Sequence, residues 1–421
     1  MSSAAPSPYR WVVLLLCWAS FTMTSVDRST WGPASAAVSD SLHVPLAALG
    51  IFATCYYIGY VVSNAAGGFL TDWLGSRVVL GTSLLAAGSL MIVFGSTTSI
   101  PLGLTVQGLV GLFAGVEFSA GMKLITIWLP ESELGRASGI FMTATSLGTV
   151  IANAVVPTLI EHADWHASYH LFGGVTVVLA LLCAVFLRDG AARADSAGRA
   201  LPDIRPLLHN RNLLLLGLAG FGGLWGTYGF VTWSNTLMIK GSHISPVDAG
   251  IVVVIFSAVA VAVGVKPVVG WLTDGLGFGM RLPIMVILVL FTATLLVFGA
   301  LRSYTAFLVV APVLGITAYA YSPLTAAMIP KPAGGRLTGS AAGTVNAIWQ
   351  LGSVLVPAAV GPVFHASGSF HAAFAVLAIG PLLGALAVLG VRDDRPQRSS
   401  AVDVPDRGLR AGASSAGGPT A

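Results

Sequence analysis

The chain has 421 residues, of which 55% are hydrophobic and only 9% charged, and its formal net charge is +4. So few charges cannot cover a water-soluble globule of this size, so a soluble enzyme is excluded. The small positive excess is not a nucleic-acid footprint either, because the basic residues are sorted by loop, and the chain reads as an integral membrane protein.

Twelve apolar segments are each long enough, at about 20 residues, to cross roughly 30 Å of hydrocarbon. They are predicted near 11–33, 45–69, 78–98, 101–127, 136–160, 167–187, 213–238, 247–272, 282–301, 304–328, 338–362 and 369–391. Lipid offers the backbone no hydrogen-bond partners, so these spans must be helices. The first follows Tyr9 and Arg10, contains Asp27 and Arg28, and ends without a small-residue cleavage site, which identifies a retained helix rather than a signal peptide. Cys17, Cys55 and Cys183 all lie inside apolar spans and imply no disulfide framework.

Arg10, Arg77, Arg136, Arg188, Arg193, Arg199, Arg205, Arg211, Arg281, Lys331, Arg336 and the tail arginines fall in one alternate set of loops. The opposite set carries Lys240 and Arg302 and is otherwise acidic or histidine-bearing, with Asp40, Glu161, Asp164 and Asp248. The positive-inside bias then predicts an even number of spans with both termini cytoplasmic, in the cell's inner (plasma) membrane. The expected organisation is a six-helix bundle over 1–187, a polar cytoplasmic linker over 188–212 and a second six-helix bundle over 213–391. A disordered tail rich in Ser, Gly, Ala and Arg follows over 392–421.

The halves repeat one another. "GGFLTDWLGSRVVLG" at 67–81 returns as "VVGWLTDGLGFGMRLP" at 268–283, and "GRASG" at 135–139 returns as "GRLTG" at 335–339. Pro157 and Pro357 lie at the same offset of 200. The repeats share one orientation in the membrane.

"GFLTDWLGSR" resembles the signature between helices 2 and 3 of the major facilitator superfamily, on Gly68, Leu70, Asp72, Gly75 and Arg77. A weaker copy uses Gly270, Leu272, Asp274, Gly277 and Arg281, and the first copy departs from the usual form at Trp73 and Ser76. Asp27-Arg28 and the stretches 111–139 and 207–233 are most similar to the anion:cation symporter branch, which takes up sugar acids and other organic anions. The motif of drug exporters in helix 5 is missing, since Gly148 is followed by "TVIANAVVP", and uptake outranks efflux.

The resemblance implies an all-α membrane fold of twelve helices in two parallel six-helix repeats. It also implies a cytoplasmic gate, with Asp72 facing the amino-terminal amides of the eleventh helix near Thr338. Arg77, Arg136, Asp274 and Arg336 complete that network, together with the turn glycines Gly68 and Gly75. Against this stands a plainer reading in which the arginines only set topology and Asp72 only forms a turn.

Polarity is periodic by span. The third, sixth, ninth and twelfth spans are almost wholly apolar and are expected to face lipid. The first, fourth, seventh and tenth carry Asp27, Arg28, Gln107, Glu117, Lys123, Tyr228, Asn235, Tyr319 and Tyr321, the expected lining of a cavity. The second, fifth, eighth and eleventh add Tyr56, Tyr57, Tyr60, Asn64, Asn153, Asn346, Trp349 and Gln350.

An ionisable group within a span is costly and marks a functional candidate. Arg28 is the fixed cation expected to grip an anionic substrate through paired hydrogen bonds, set against structural pairing with Asp27. Counted along its span, Arg28 falls toward the outer side. For Lys123, on the inner side, substrate binding is weighed against snorkelling to the interface. Asp27 and Glu117 are the candidate proton carriers, coupled to substrate through the neighbouring cation. Tyr57, Tyr60, Trp225 and Tyr228 offer hydroxyl donors and a stacking face, while Asn346 and Gln350 add amides. Gln107 stands where many superfamily members carry arginine, and Lys266 belongs with the Asp274 turn. His162, His166 and His170 are read as solvated in a loop rather than as a metal site.

The reading is a monomeric secondary transporter, with no cofactor or metal, that imports a small organic anion with protons by alternating access. Proton-driven efflux of amphipathic compounds and a non-transporting sensor are the alternatives. No nucleotide loop or nucleophile constellation supports an enzyme, and no nucleic-acid partner is expected.

Overall fold

The computed structural model describes residues 8–188, 209–262, 280–328 and 338–391. Among them thirteen helices run in chain order. The first seven are α1 (Tyr9–Leu42), α2 (Leu46–Leu74), α3 (Ser76–Phe94), α4 (Ile100–Ala114), α5 (Glu117–Trp128), α6 (Glu131–His162) and α7 (Trp165–Phe186). The remaining six are α8 (Arg211–Ser242), α9 (Pro246–Ala262), α10 (Arg281–Ala300), α11 (Tyr304–Met328), α12 (Thr338–Ser367) and α13 (Phe370–Leu389). α4 and α5 together make one apolar stretch, so twelve spans result. Eleven are long and apolar enough to cross a bilayer, and α9 is a shorter apolar helix. The end of the bundle where α1 begins is called the near end, and the opposite one the far end.

Two helices differ from their sequence-based outlines. α1 continues to Leu42, nine residues past the apolar run, because the polar and small residues Ser29, Thr30, Gly32, Pro33, Ser35 and Ser39 are all buried against other helices rather than facing lipid. Arg28 therefore stands near the middle of α1 and not toward its outer end. The fourth span breaks at Gly115–Val116, so Glu117 opens a new helix and sits in the first turn of α5. Gly115 is pressed on α2: a Cβ there would stand 2.1 Å from Ser63 Oγ and 2.3 Å from the Tyr60 carbonyl oxygen.

The repeat is visible in the backbone. α1 and α8 end on His43 and His243, both left-handed (φ 53° and 55°) and 200 residues apart. These equivalent helices lie against each other across the two halves. Ser35 and Thr236 share a hydrogen bond of 2.5 Å, Lys240 reaches both oxygens of Asp40 at 2.7 Å, and a Cβ on Gly32 would meet the Val231 carbonyl.

A second pair of contacts is reciprocal. A Cβ on Gly50 of α2 would fall 1.7 Å from the Pro357 carbonyl oxygen of α12, and one on Gly250 of α9 would fall 2.7 Å from the Pro157 ring of α6. The Thr54 hydroxyl donates to the Val354 carbonyl at 3.0 Å beside the first of these. Small residues let helix backbones touch where lipid supplies no hydrophobic drive for association.

The apolar core has three parts. One cluster joins both halves toward the far end, from Val38, Phe52 and Val156 on one side to Phe230, Phe256 and Val360 on the other. Each half then keeps its own cluster at the near end, around Leu14, Leu80 and Phe141 in the first and Leu216, Leu288 and Leu324 in the second.

Exposed apolar residues cover α3, α7, α10 and α13, including Leu85, Leu181, Val289 and Leu386, as the span periodicity anticipates. α4 and α11 also turn an apolar stripe outward, through Leu102, Leu109, Val309 and Val313. Those two spans have one polar inner face each, which is all that a residue census by span detects.

Two outcomes follow. Gly50→Val and Gly250→Val should each lower the Tm of the solubilised protein by roughly 2–5 °C. Gly174→Val, where a Cβ meets open space, should not.

Asp164 caps α7 by accepting from the Ala167 amide at 3.1 Å, and that contact, with His166 beside it, holds its carboxyl below the usual carboxylate range. The contribution of Asp164 is therefore full above the ordinary carboxylate pKa and fades as pH falls through the lower native value. Asp164→Ala should cost about 0.5–1 kcal/mol near neutrality and less in acid, read from melting curves across pH.

Candidate functional site

The centre of the bundle is built on α1, whose successive residues turn by about 100°. Asp27 and Arg28 therefore face different surroundings. Arg28 is partly exposed to an interior cavity, with its guanidinium 5.0 Å from the Tyr228 ring centre and 5.8 Å from that of Tyr60. Tyr57 meets Tyr228 edge-on at 5.5 Å and Tyr56 at 5.5 Å, while Tyr56 and Tyr60 stack at 6.1 Å. The cavity is lined by Arg28, Trp31, Gly32, Ala53, Tyr56, Tyr57, Gln107, Val231 and Thr232, and leaves room for little more than a water molecule.

Among the described residues no carboxylate stands within ion-pair distance of Arg28. Its surroundings are tyrosine rings, which favour a cation through their faces. Structural pairing with Asp27, the plainer reading of the sequence, is not what the side chains do.

Asp27 is 4% exposed and turned into the first half, where Thr176 of α7 donates to Oδ1 at 3.4 Å and Oδ2 has no partner among the described residues. Glu117, 2% exposed, is held the same way. Ser83 of α3 donates to one oxygen and the other has no partner among the described residues. Cys17 and Cys183 lie in the same apolar cluster, with Ser20 Oγ 3.4 Å from the Cys183 sulfur. The two candidate proton carriers thus sit behind the cavity wall, inside one half.

Other predicted residues fall outside this constellation. The Lys123 ammonium donates to the Thr71 carbonyl at 3.2 Å, at the near end of α2. Trp225 points outward from α8, donating to the Val376 carbonyl of α13 at 2.9 Å and covering Gly380. Asn346 and Gln350 recur at four-residue spacing on the α12 face that includes Val354, one to two turns nearer the near end, and are partly exposed.

Of the gate residues, Gly75 joins α2 to α3 with φ 90°, a conformation that glycine adopts without strain. Arg77 donates to the Ala184 carbonyl of α7 at 2.5 Å. Gly68 and Asp72 lie on α2 and Arg136 on α6; the side chains of Asp72 and Arg136, like Asp274, Arg336 and Lys266, lie outside what is described.

The histidines are helical rather than in a loop. His162 lies in the last turn of α6, His166 stacks on Trp165 at 3.9 Å, and His170 meets Ser96 Oγ at 3.0 Å.

Sequence reasoning did not single out Trp31 or Thr232, because an indole and a hydroxyl in a span look like packing. It also did not pair Asn153 with Asn235, whose side-chain amides bond across the halves at 2.8 Å with Asn153 in turn donating to the Thr149 carbonyl at 2.9 Å. Buried amides in spans were a signal; their partnership was not.

A bundle of two repeated six-span halves that encloses a cation between them has the architecture of a membrane transporter, not of an enzyme. The chain belongs to the Major Facilitator Superfamily, whose profile matches residues 17–357 and 266–416. It is 22% identical to a D-galactonate transporter of Escherichia coli over 92% of this chain and 97% of that protein. It is 23% identical to the probable galactarate/D-glucarate transporter GudP of Bacillus subtilis over 90% and 92%. A chloroplastic ascorbate transporter of Arabidopsis thaliana matches at 24% over 64% of this chain, and the match spans about half (53%) of that relative. Among solved structures, a bacterial homologue of the human lysosomal transporter Spinster, inward-facing and occupied, shares the fold. Its TM-score is 0.76 at 15% identity, over 91% of this chain and 96% of that one. The relatives point to the organic-anion branch of the family.

Removing one member of the cross-half amide pair leaves a buried polar group unsatisfied. Asn235→Ala should cost about 1–3 kcal/mol in thermal unfolding, whereas the double variant Asn153→Ala/Asn235→Ala should cost less than the sum of the single changes.

Proposed function

We propose that this protein imports a small organic anion together with protons by alternating access, with Arg28 as the anion-binding cation. The observation that carries the reading is a guanidinium partly exposed to a central cavity with no carboxylate beside it among the described residues. A charge placed in a membrane interior with no counter-ion among the described residues is explained if the transported anion supplies one. Relatives that carry galactonate, galactarate or glucarate support an acidic substrate.

Asp27 and Glu117 are the proton carriers in this reading. Asp27 adjoins Arg28 on α1, so a change in its charge alters the helix that holds the substrate. The core shared at the far end and separate at the near end fits a transporter closed on the far side, with the turns carrying Asp72, Arg77, Arg136, Asp274 and Arg336 closing the near side in the other state. The sorting of basic loops supports near-end, cytoplasmic termini in the inner membrane, and the protein works as a monomer.

Uptake of labelled organic acids into proteoliposomes, with and without an inward proton gradient, tests this. Wild type should show gradient-stimulated uptake and Arg28→Ala should lose it by at least tenfold. Asp27→Asn and Glu117→Gln should lose the stimulation while still exchanging substrate across equal concentrations. Full activity of Arg28→Ala removes that residue from the site. Uptake without any gradient response in wild type removes proton coupling.

A further inference from the structure

We infer that water enters the seam between α7 and α1 from the far end and reaches Asp27, giving this carboxylate a proton route to the far side that bypasses the central cavity. The inference rests on the reading of Asp27 as a proton carrier and adds the path by which its proton arrives.

Polar atoms without partners mark the path. Among the described residues, Trp165 Nε1, Ser168 Oγ and the Tyr169 hydroxyl, all on α7, make no hydrogen bond, and neither does Asp27 Oδ2. These residues are 3%, 0%, 0% and 4% exposed, so open solvent does not reach them directly. Buried polar atoms are seldom left unbonded, and where the protein supplies no partner a bound water does.

Helix geometry sets these atoms in a row. At 100° per residue, Trp165, Ser168, Tyr169 and Thr176 fall within an arc of about 100° on α7. Thr176 directs that face at α1, because its hydroxyl donates to Asp27 Oδ1 at 3.4 Å. The row opens in the first turn of α7, where Asp164 is exposed and His166 half-buried. It thus leads from the far-end surface toward the carboxylate. The charge of Asp27 acts on the Tyr169 hydroxyl, as it does on Tyr56 of α2 and Glu117 of α5, with Arg28 beside it on α1.

Neither Asp27 nor any of the three unbonded α7 residues lines the central cavity. The core shared by both halves closes the far end over that cavity, and the α7 row supplies a second entrance. The step along it is a proton transfer: a hydronium at the far face gives up its proton through the row, the Asp27 carboxylate becomes a carboxylic acid, and water is left behind.

Radiolytic hydroxyl-radical footprinting of the full-length protein in nanodiscs tests this, because radicals made from bound water mark the side chains beside it. Each candidate has a buried control of its own type. Trp165 should be labelled at least fivefold faster than Trp233, which is 2% exposed with Nε1 bonded to the Pro357 carbonyl at 3.0 Å. Tyr169 should exceed Tyr321, which is 1% exposed with its hydroxyl beside Thr227, by the same factor. Ser168→Val, which fills the seam with methyl groups, should lower Tyr169 labelling at least threefold and gradient-stimulated uptake at least fivefold, while exchange across equal concentrations stays within twofold of wild type. Equal labelling within both pairs means a dry seam and overturns the proposal, leaving Asp27 to take its proton through the cavity. If Ser168→Val loses the labelling but keeps the stimulation, the water is not the proton's route and the proposal fails. If Asp27→Asn keeps full stimulation, the proton-carrier reading and the route fall together. The wild-type comparison stands even where Ser168→Val does not fold.

Discussion

The contact of α1 with α8 is the constraint on which the rest depends. These are equivalent helices of the two repeats, and they meet so that residues about 200 apart become neighbours: Arg28 with Tyr228, Ser35 with Thr236, Asp40 with Lys240. A repeated sequence folded around an approximate two-fold axis must bring equivalent positions together on that axis, and the reciprocal contacts of Gly50 with Pro357 and Gly250 with Pro157 are the same rule applied off the axis. The repeats have diverged where it matters. One contributes a cation and the other a ring at the same place, so the site is asymmetric although its frame is not.

This contact also explains why α1 extends through a stretch of serines, threonine, glycine and proline. Such residues would be poor lipid-facing material, but between two helices they allow close approach and supply hydroxyls to bond across the gap. The hydroxyls of Thr30 and Ser35 also bond back to carbonyls of their own helix, which keeps them satisfied in the absence of water.

The two buried carboxylates share a second arrangement. Among the described residues each is held by one hydroxyl, from α7 or α3, and keeps one oxygen without a partner, within the half that also holds Arg28. Asp27 and Arg28 therefore lie on different faces of α1, one turned into the first half and the other toward the central cavity.

Much of this was legible in the sequence. Twelve apolar runs, the duplicated turn and the Asp27-Arg28 pair within a span follow from composition and spacing, because lipid admits only helices and penalises charge. The sequence alone therefore determined the class of fold, the repeat and the presence of a charged pair within a span. Tertiary structure decided what spacing along one chain cannot express. Trp225 turns away to bond Val376, Lys123 ends on Thr71, Thr232 of α8 comes to the cavity of Arg28 and Trp31 on α1, and Asn153 of α6 meets Asn235 of α8. The direction in which a side chain leaves its helix is fixed by the neighbouring helices, and those are chosen by packing between segments hundreds of residues apart.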